Sequence, residues 1–225
     1  MVVQHSGRVE APRPVSGRQL RHAFYPGMTR LTLGLVRGRE PGLFLGPLAL
    51  LRFGPPELSA HSCGFPIEGG LLAAAPGGRL LFSWQEGCLT STVEGYRPRL
   101  PGPLYRLAQQ PFHQALTRLH LLRVRGRAPA PGMPATPARR LAAAAVDVAL
   151  CAAVGRLARR RFLPAFAGAL AGYHLAGWTA AGQTLGGLLF GLRVVAVDGS
   201  PLTPAQALVR LFGGDTAAAT EVVEA

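Results

Sequence analysis

An aspartate stands in the middle of a strongly apolar segment in the second half of the chain. Residues 141–155 contain one charged side chain, that of Asp147. A carboxylate inside hydrocarbon costs roughly 2.5–3.5 kcal/mol on insertion scales, so it requires a partner or a water-filled cavity. We predict that Asp147 pairs with Arg193 or with His174. Two roles fit this arrangement: an ion or proton site, or a structural ion pair that fixes helix packing.

Two apolar segments joined by an arginine-rich loop would hold these side chains in place. The second segment, residues 162–181, carries no formal charge and includes Gly168, Gly172 and Gly177, which allow a neighbouring helix to approach closely. Arginines at the segment ends can reach a membrane interface. The pattern predicts an α-helical transmembrane hairpin module. The alternative is a buried helical hairpin in a soluble protein.

This half of the chain contains two sets of motifs at specific spacings. An arginine opens the first apolar segment and an aspartate follows within it, as Arg140-Leu-Ala-Ala-Ala-Ala-Val-Asp147. The later block reads Gly182-Gln-Thr-Leu-Gly186, then Gly191-Leu-Arg-Val-Val195, then Asp198-Gly199 and Arg210. These motifs resemble those of the RDD family, and the resemblance runs from about residue 139 to residue 225. The chain departs from the family at Gly187, where lysine is usual, and in lacking a third apolar segment after Arg210.

The resemblance implies a bacterial integral membrane protein. Such a protein would lie in the cell (inner) membrane as a multi-pass protein, with both termini in the cytoplasm. Its implied role is transport of an unidentified small ligand or ion, or anchoring of the N-terminal domain to the membrane. The alternative function is that of a soluble or peripheral protein that binds a lipid or small ligand and uses its helical hairpin for core packing or dimerisation.

The motifs and the buried charge together define a set of candidate ligand- or ion-binding residues. They are Arg140, Asp147, His174, Thr184, Arg193, Asp198 and Arg210. Some have a plainer interpretation: Arg140 as an interface anchor, and Asp198 as part of a turn. The glycine-rich block around Thr184 fits either an anion at a helix N-terminus or close helix packing.

The first half of the chain predicts an α+β domain of antiparallel strands followed by an amphipathic helix. Strands are expected near residues 28–36, 57–66, 79–85 and 89–96, the last two joined by a hairpin turn at Glu86-Gly87. The helix is expected to begin at Pro101 and Pro103, to be kinked by Pro111, and to bury a stripe that includes Leu104, Leu107, Phe112 and Leu119.

Strands curled over such a helix can enclose an apolar cavity, as in helix-grip, lipid-binding folds. Phe82, Trp84, Tyr105 and Phe112 would then line it. The alternative is that these are ordinary core aromatic residues.

Composition shifts along the chain suggest its domain organisation. A disordered tail is expected at 1–19, the α+β domain at 20–127, a Pro/Gly-rich linker at 128–138, the membrane module at 139–212 and a tail at 213–225.

The remaining features argue against several classes of function. The net charge is +13, but all 24 basic residues are arginine and neither lysine nor asparagine occurs, which indicates codon composition and makes nucleic acid an unlikely partner. The three cysteines form no metal-binding motif. We find no catalytic motif, and we predict no enzyme, cofactor or metal. The expected partners are the lipid bilayer, a small ligand and a second copy of the chain.

Overall fold

The computed structural model describes residues 2–158 and 161–225. The chain divides into two compact units, Met1–Gly126 and Arg127–Ala225. Arg159 and Arg160, part of the arginine-rich loop predicted between the two apolar segments, lie outside the described residues.

An antiparallel sheet forms most of the N-terminal unit. Its strands follow the order β1-β8-β7-β6-β4-β3-β2, with β5 paired to β6. They are β1 (Val3–Glu10), β2 (Val36–Arg39), β3 (Gly42–Leu45), β4 (Leu48–Phe53), β5 (Glu57–Leu58), β6 (Ser62–Gly69), β7 (Arg79–Gln85) and β8 (Cys88–Tyr96). The predicted antiparallel sheet of this unit is therefore confirmed, and the first strand pairs with the last.

The hairpin between β7 and β8 forms where its local signals predict it. Glu86 and Gly87 both have positive φ angles, 48° and 77°, as a two-residue hairpin turn requires. The turn places Trp84 opposite Leu89 and Gln85 opposite Cys88.

Two predictions at the start of the chain are wrong. Residues 3–10, expected within a disordered tail, form β1, which pairs with β8 along its length and buries Val3 and Val9. Residues 28–31, expected in a strand, belong to helix α1 (Gly17–Leu31). That helix begins with a capping box in which Ser16 and Gln19 bond each other's backbone N–H groups, and this start signal outweighs the loose alternation after Met28.

The long helix at the end of this unit contains a change of helical type. It consists of α2 (Gly102–Leu104), a π-helical turn at Tyr105–Gln109, and α3 (Gln110–Arg125). The predicted disturbance at Pro111 takes the form of this π turn directly before it, since Pro111 has no N–H to continue an α-helical ladder. The predicted apolar stripe is wrong in its first half: Leu104, Leu107 and Phe112 are exposed, and Tyr105 and Gln109 are buried instead.

Aromatic side chains form the core between α1, α3 and the sheet. The Phe24 ring lies 4.4 Å from that of Phe65, and Phe82 lies 5.3 Å from the imidazole of His120. Of the aromatic residues predicted to line a cavity, Phe82 does so. Trp84 donates its indole N–H to the Ala11 carbonyl, and Phe112 is 55% exposed.

Acid should destabilise the N-terminal unit because this unit buries the imidazole of His120. The side chain is 1% exposed and neither ring nitrogen bonds to a described residue. Burial lowers the pKa of His120 to about 4, below the value of 6.5 for an unfolded chain. Protonation therefore favours the unfolded state, so stability is full above pH 6.5 and falls as the pH drops toward 4. The expected slope from this residue is about 1.4 kcal/mol per pH unit at most.

Urea unfolding between pH 7 and pH 4.5 measures this slope. A Trp178→Phe background leaves Trp84 as the single tryptophan reporter, since the chain has 2 tryptophans. In that background His120→Leu should flatten the decline; an unchanged slope would show that His120 does not cause it.

Helices pack around a two-stranded ribbon in the C-terminal unit. The elements are α4 (Pro137–Leu157), α5 (Phe162–Ala180), α6 (Leu185–Leu189), β9 (Leu192–Ala196), α7 (Pro204–Ala218) and β10 (Thr220–Glu224). Strand β10 pairs antiparallel with β9, and α5 packs against α4 and α7. Residues 213–225, expected as a tail, are thus structured, and Thr220 is fully buried.

The transmembrane hairpin predicted for this unit is wrong. Among the described residues, no helix combines the length and the apolar character that a membrane crossing needs. The two apolar segments do form helices, α4 and α5, which pack against each other. However, α4 includes Arg140, Asp147 and Arg156, and α5 includes Tyr173 and His174, so polar groups interrupt both segments.

Candidate functional site

The carboxylate of Asp147 is buried and fully engaged with hydrogen-bond donors. Its side chain lies midway along α4 and the residue is 4% exposed. Its Oδ1 accepts from the Tyr173 hydroxyl at 2.7 Å and from the Gly186 N–H at 2.8 Å. Its Oδ2 accepts from the Thr184 hydroxyl at 2.7 Å. These three neutral donors replace the water that the charge loses on burial.

The same residues satisfy the N-terminus of the short helix α6. The N–H groups at a helix start have no partner within the helix. Here the N–H of Leu185 donates to the Tyr173 hydroxyl at 2.6 Å, that of Gly186 to Asp147, and that of Gly187 to Thr184 Oγ1 at 3.1 Å. Of the two interpretations of the glycine-rich block, an anion at a helix N-terminus or close helix packing, the first takes the form of a carboxylate that the chain itself supplies, from α4.

Gly186 lies where two helices meet with no room for a side chain. A Cβ atom added there would stand 2.1 Å from the backbone oxygen of Ala143 and 2.8 Å from Asp147 Oδ1. The glycine thus allows α6 to approach α4 closely enough for its N–H to reach the carboxylate.

His174 is the basic side chain that approaches Asp147. Its Nε2 lies 3.7 Å from Asp147 Oδ2, and its Nδ1 lies 2.8 Å from the Leu170 carbonyl oxygen. Because a carbonyl only accepts, Nδ1 carries a proton, and Nε2 is the nitrogen that faces the carboxylate. The alternative partner, Arg193, forms no ion pair with Asp147 in the described structure; it is exposed on β9, next to Gly182.

A second charged cluster joins α4 to α7. Asp215 accepts a hydrogen bond from Arg140 at 2.6 Å through Oδ2 and another from Arg210 through Oδ1. Gly214, with φ 73°, interrupts α7 just before Asp215, and Arg210 lies on the turn before that break. This break allows the chain to return toward the Arg210 guanidinium.

Arg210 is the more buried of the two arginines. Its side chain is 10% exposed, its guanidinium lies 4.8 Å above the Trp178 ring, and it also donates to Thr220 Oγ1 at 2.6 Å. Burial lowers the pKa of Arg210. Its Nε is buried and bonds to no described residue.

These two clusters face one cavity of about 420 Å³. Polar and aromatic side chains contribute to its wall together with apolar residues of α4, β9 and β10. They are Arg140, Asp147, His174, Trp178, Gln183, Thr184 and Arg210. The structure thus brings together most of the residues predicted from the sequence. Arg193 and Asp198 are not in this wall; Asp198 accepts from the N–H and hydroxyl of Ser200 in a turn.

The glycine-rich block, the turn and Arg210 all lie in a segment that matches a known protein family. Residues 158–215 match the RDD family. The RDD match includes His174, Thr184 and Arg210, whereas Arg140 and Asp147 precede it. Nothing is assigned to the N-terminal unit. No curated protein and no solved structure matches the chain.

Three residues that contact these two clusters fell outside the candidate set predicted from the sequence. They are Tyr173, Trp178 and Asp215. Tyr173 is the one phenol in the charge-free segment 162–181, and an unpaired hydroxyl there was a usable signal. Asp215 gave no comparable signal, because its role depends on the break at Gly214.

Proposed function

We propose that the C-terminal unit is a membrane-associated module that binds a small ligand through an anionic group, with Arg210 as the binding residue. The observation that carries this proposal is a buried arginine, at the wall of a cavity, whose Nε has no acceptor among the residues that the structure describes. An unsatisfied buried donor costs about 1–3 kcal/mol, and a carboxylate or phosphate oxygen in the cavity would remove that cost.

The local charge at Arg210, rather than the net charge of the cavity wall, supports an anion over a cation at this position. Arg140 and Arg210 share one carboxylate, that of Asp215, so this cluster keeps one positive charge. The other carboxylate, Asp147, is occupied by Tyr173, Thr184 and Gly186 and offers little to a cation. The planar guanidinium, held against an aromatic ring, is suited to carboxylate or phosphate.

Exposed apolar side chains support membrane association of this unit. They occur on α4, α5, α6 and α7 at Leu141, Val148, Val154, Leu157, Leu163, Leu185, Leu188, Leu189, Leu208 and Phe212. Apolar surface flanked by arginines, here Arg139, Arg156 and Arg161, suits an anionic lipid surface. The same surface would serve the alternative, a face for dimerisation in solution.

Calorimetric titration with inorganic phosphate and with acetate, at low salt, tests the binding proposal. We expect saturable binding by the wild type and binding at least about tenfold weaker by Arg210→Lys, which keeps the charge but loses the fork of donors. Arg193→Lys, on the exposed face of β9, should bind like the wild type.

Absence of binding in the wild type, or equal binding by the folded Arg210→Lys variant, would refute the proposal. The same titration distinguishes the two roles that the RDD resemblance implies, because transport of an anion requires this binding site and membrane anchoring does not.

Flotation of the same protein with phosphatidylglycerol-containing vesicles tests membrane association. A dimer that stays with the soluble fraction would favour the alternative.

A further inference from the structure

A second cavity lies inside the N-terminal unit. It occupies about 80 Å³ between α1, α3 and the strands β3, β4, β6, β7 and β8. Its walls are mostly hydrocarbon, from side chains such as Phe24, Phe53 and Phe82. Well-packed interiors contain few spaces larger than a water molecule, so this space requires an explanation.

Two polar side chains of the cavity wall lie on the same face of helix α3. His113 and Thr117 are one turn apart on α3 and both line the cavity. Neither side chain forms a hydrogen bond within the described part of the chain. The Tyr96 hydroxyl is already used, because it donates to the Leu72 carbonyl at 2.6 Å and accepts from Gln109 at 2.8 Å.

Further unpartnered polar groups surround the same core. Both ring nitrogens of His120 lack partners among the described residues, and this ring contacts Phe24 and Phe82, two residues of the cavity wall. The Tyr105 hydroxyl and Gln109 Oε1 also lack partners there. Buried polar groups normally find partners, and a concentration of exceptions marks a region that something else satisfies.

We propose that the N-terminal unit binds one small, uncharged, largely apolar molecule in this cavity, with the His113 imidazole bonded to a single polar group such as a hydroxyl. None of the described side chains in the wall is charged. Burial lowers the pKa of His113 to about 4, so the ring is neutral at pH 7 and can accept a hydrogen bond. A charged ligand would lose its hydration without gaining a counter-charge.

The size of the cavity limits the ligand to a short chain or a single ring. An apolar cavity of about 150 Å³ in a well-studied lysozyme variant binds benzene and xenon. The cavity here is smaller, so a one-ring ligand requires slight outward movement of its wall. A phenol or a short-chain alcohol meets the requirements of size, charge and hydrogen bonding.

Titration of the full chain with toluene, phenol and benzoate, followed by calorimetry, tests this proposal. We expect saturable binding of toluene, binding of phenol about fivefold tighter through one neutral hydrogen bond, and binding of benzoate at least about tenfold weaker than that of toluene. His113→Leu should keep toluene binding and abolish the preference for phenol. Leu116→Phe, which fills the cavity, should abolish binding of both.

Leu107→Phe serves as the matched control, because Leu107 is exposed on the π turn and outside the cavity wall. It should bind like the wild type. Failure of the wild type to bind toluene or phenol would show that the cavity is a packing defect. A preference for phenol that survives His113→Leu would refute the role of His113, even if Leu116→Phe does not fold.

Discussion

A Gly186→Ala variant should lose about 3 kcal/mol or more of the stability of the C-terminal unit. The new methyl group would stand 2.1 Å from the Ala143 carbonyl oxygen, which is backbone and cannot rotate away. Relief requires α6 to move from α4, and that movement breaks the bond from the Gly186 N–H to Asp147. Hydrogen exchange of the full chain should show lost protection in α6 and in the middle of α4.

Gly168→Ala and Gly172→Ala are the matched controls. Both glycines lie in α5, and a Cβ atom at either position meets nothing within 4 Å. Alanine favours a helix over glycine by about 0.8–1 kcal/mol, so these variants should be neutral or more stable. If Gly186→Ala is as stable as these controls, the close approach of α6 to α4 is not a constraint on the fold.

Asp147→Ala should cost the C-terminal unit about 3 kcal/mol or more, because each buried donor left unsatisfied costs about 1–3 kcal/mol. The change leaves the N–H of Gly186 and the hydroxyls of Tyr173 and Thr184 without their acceptor. Asp147→Asn should lie between alanine and the wild type, since an amide has one acceptor oxygen and an NH₂ group that faces donors. Thermal unfolding and exchange of the Gly186 amide measure both.

Glu224→Ala provides a carboxylate control in the same unit. Glu224 forms a partly exposed ion pair with Arg139, so its removal should cost about 1 kcal/mol or less. An Asp147→Asn variant with unchanged thermal stability would contradict the structural role assigned to Asp147.

The need of Asp147 for partners could be predicted from the sequence, but most of its partners could not. The free-energy cost of burying a carboxylate can be judged from Asp147 and its apolar segment alone. The donors come from positions 26, 37 and 39 residues away, and they meet only because α5 turns into α6 above α4. His174, the alternative partner, lies 3.7 Å from Asp147 Oδ2, whereas Arg193 forms no ion pair with Asp147 among the described residues.

Local signals predicted local structure well in the N-terminal unit, and tertiary pairing decided the rest. The turn at Glu86-Gly87 depends on two residues and was predicted correctly. Strand β1 was missed because its sequence is mostly polar; its order comes from pairing with β8. The hairpin of α4 and α5 was wrongly predicted to be transmembrane because α4 also includes arginines at both ends of its apolar segment, and α5 includes the polar side chains of Tyr173 and His174.

The π turn at Tyr105–Gln109 sets the rotational phase of the long helix in the N-terminal unit. An α-helix advances by about 100° per residue, so one residue added to a turn rotates everything on one side of it by that angle relative to the other. The rotation turns Tyr105 inward and leaves Leu104 and Leu107 outward. Deleting one residue from this turn would therefore rotate the start of the helix by about 100° relative to α3 and move Tyr105 out of the core.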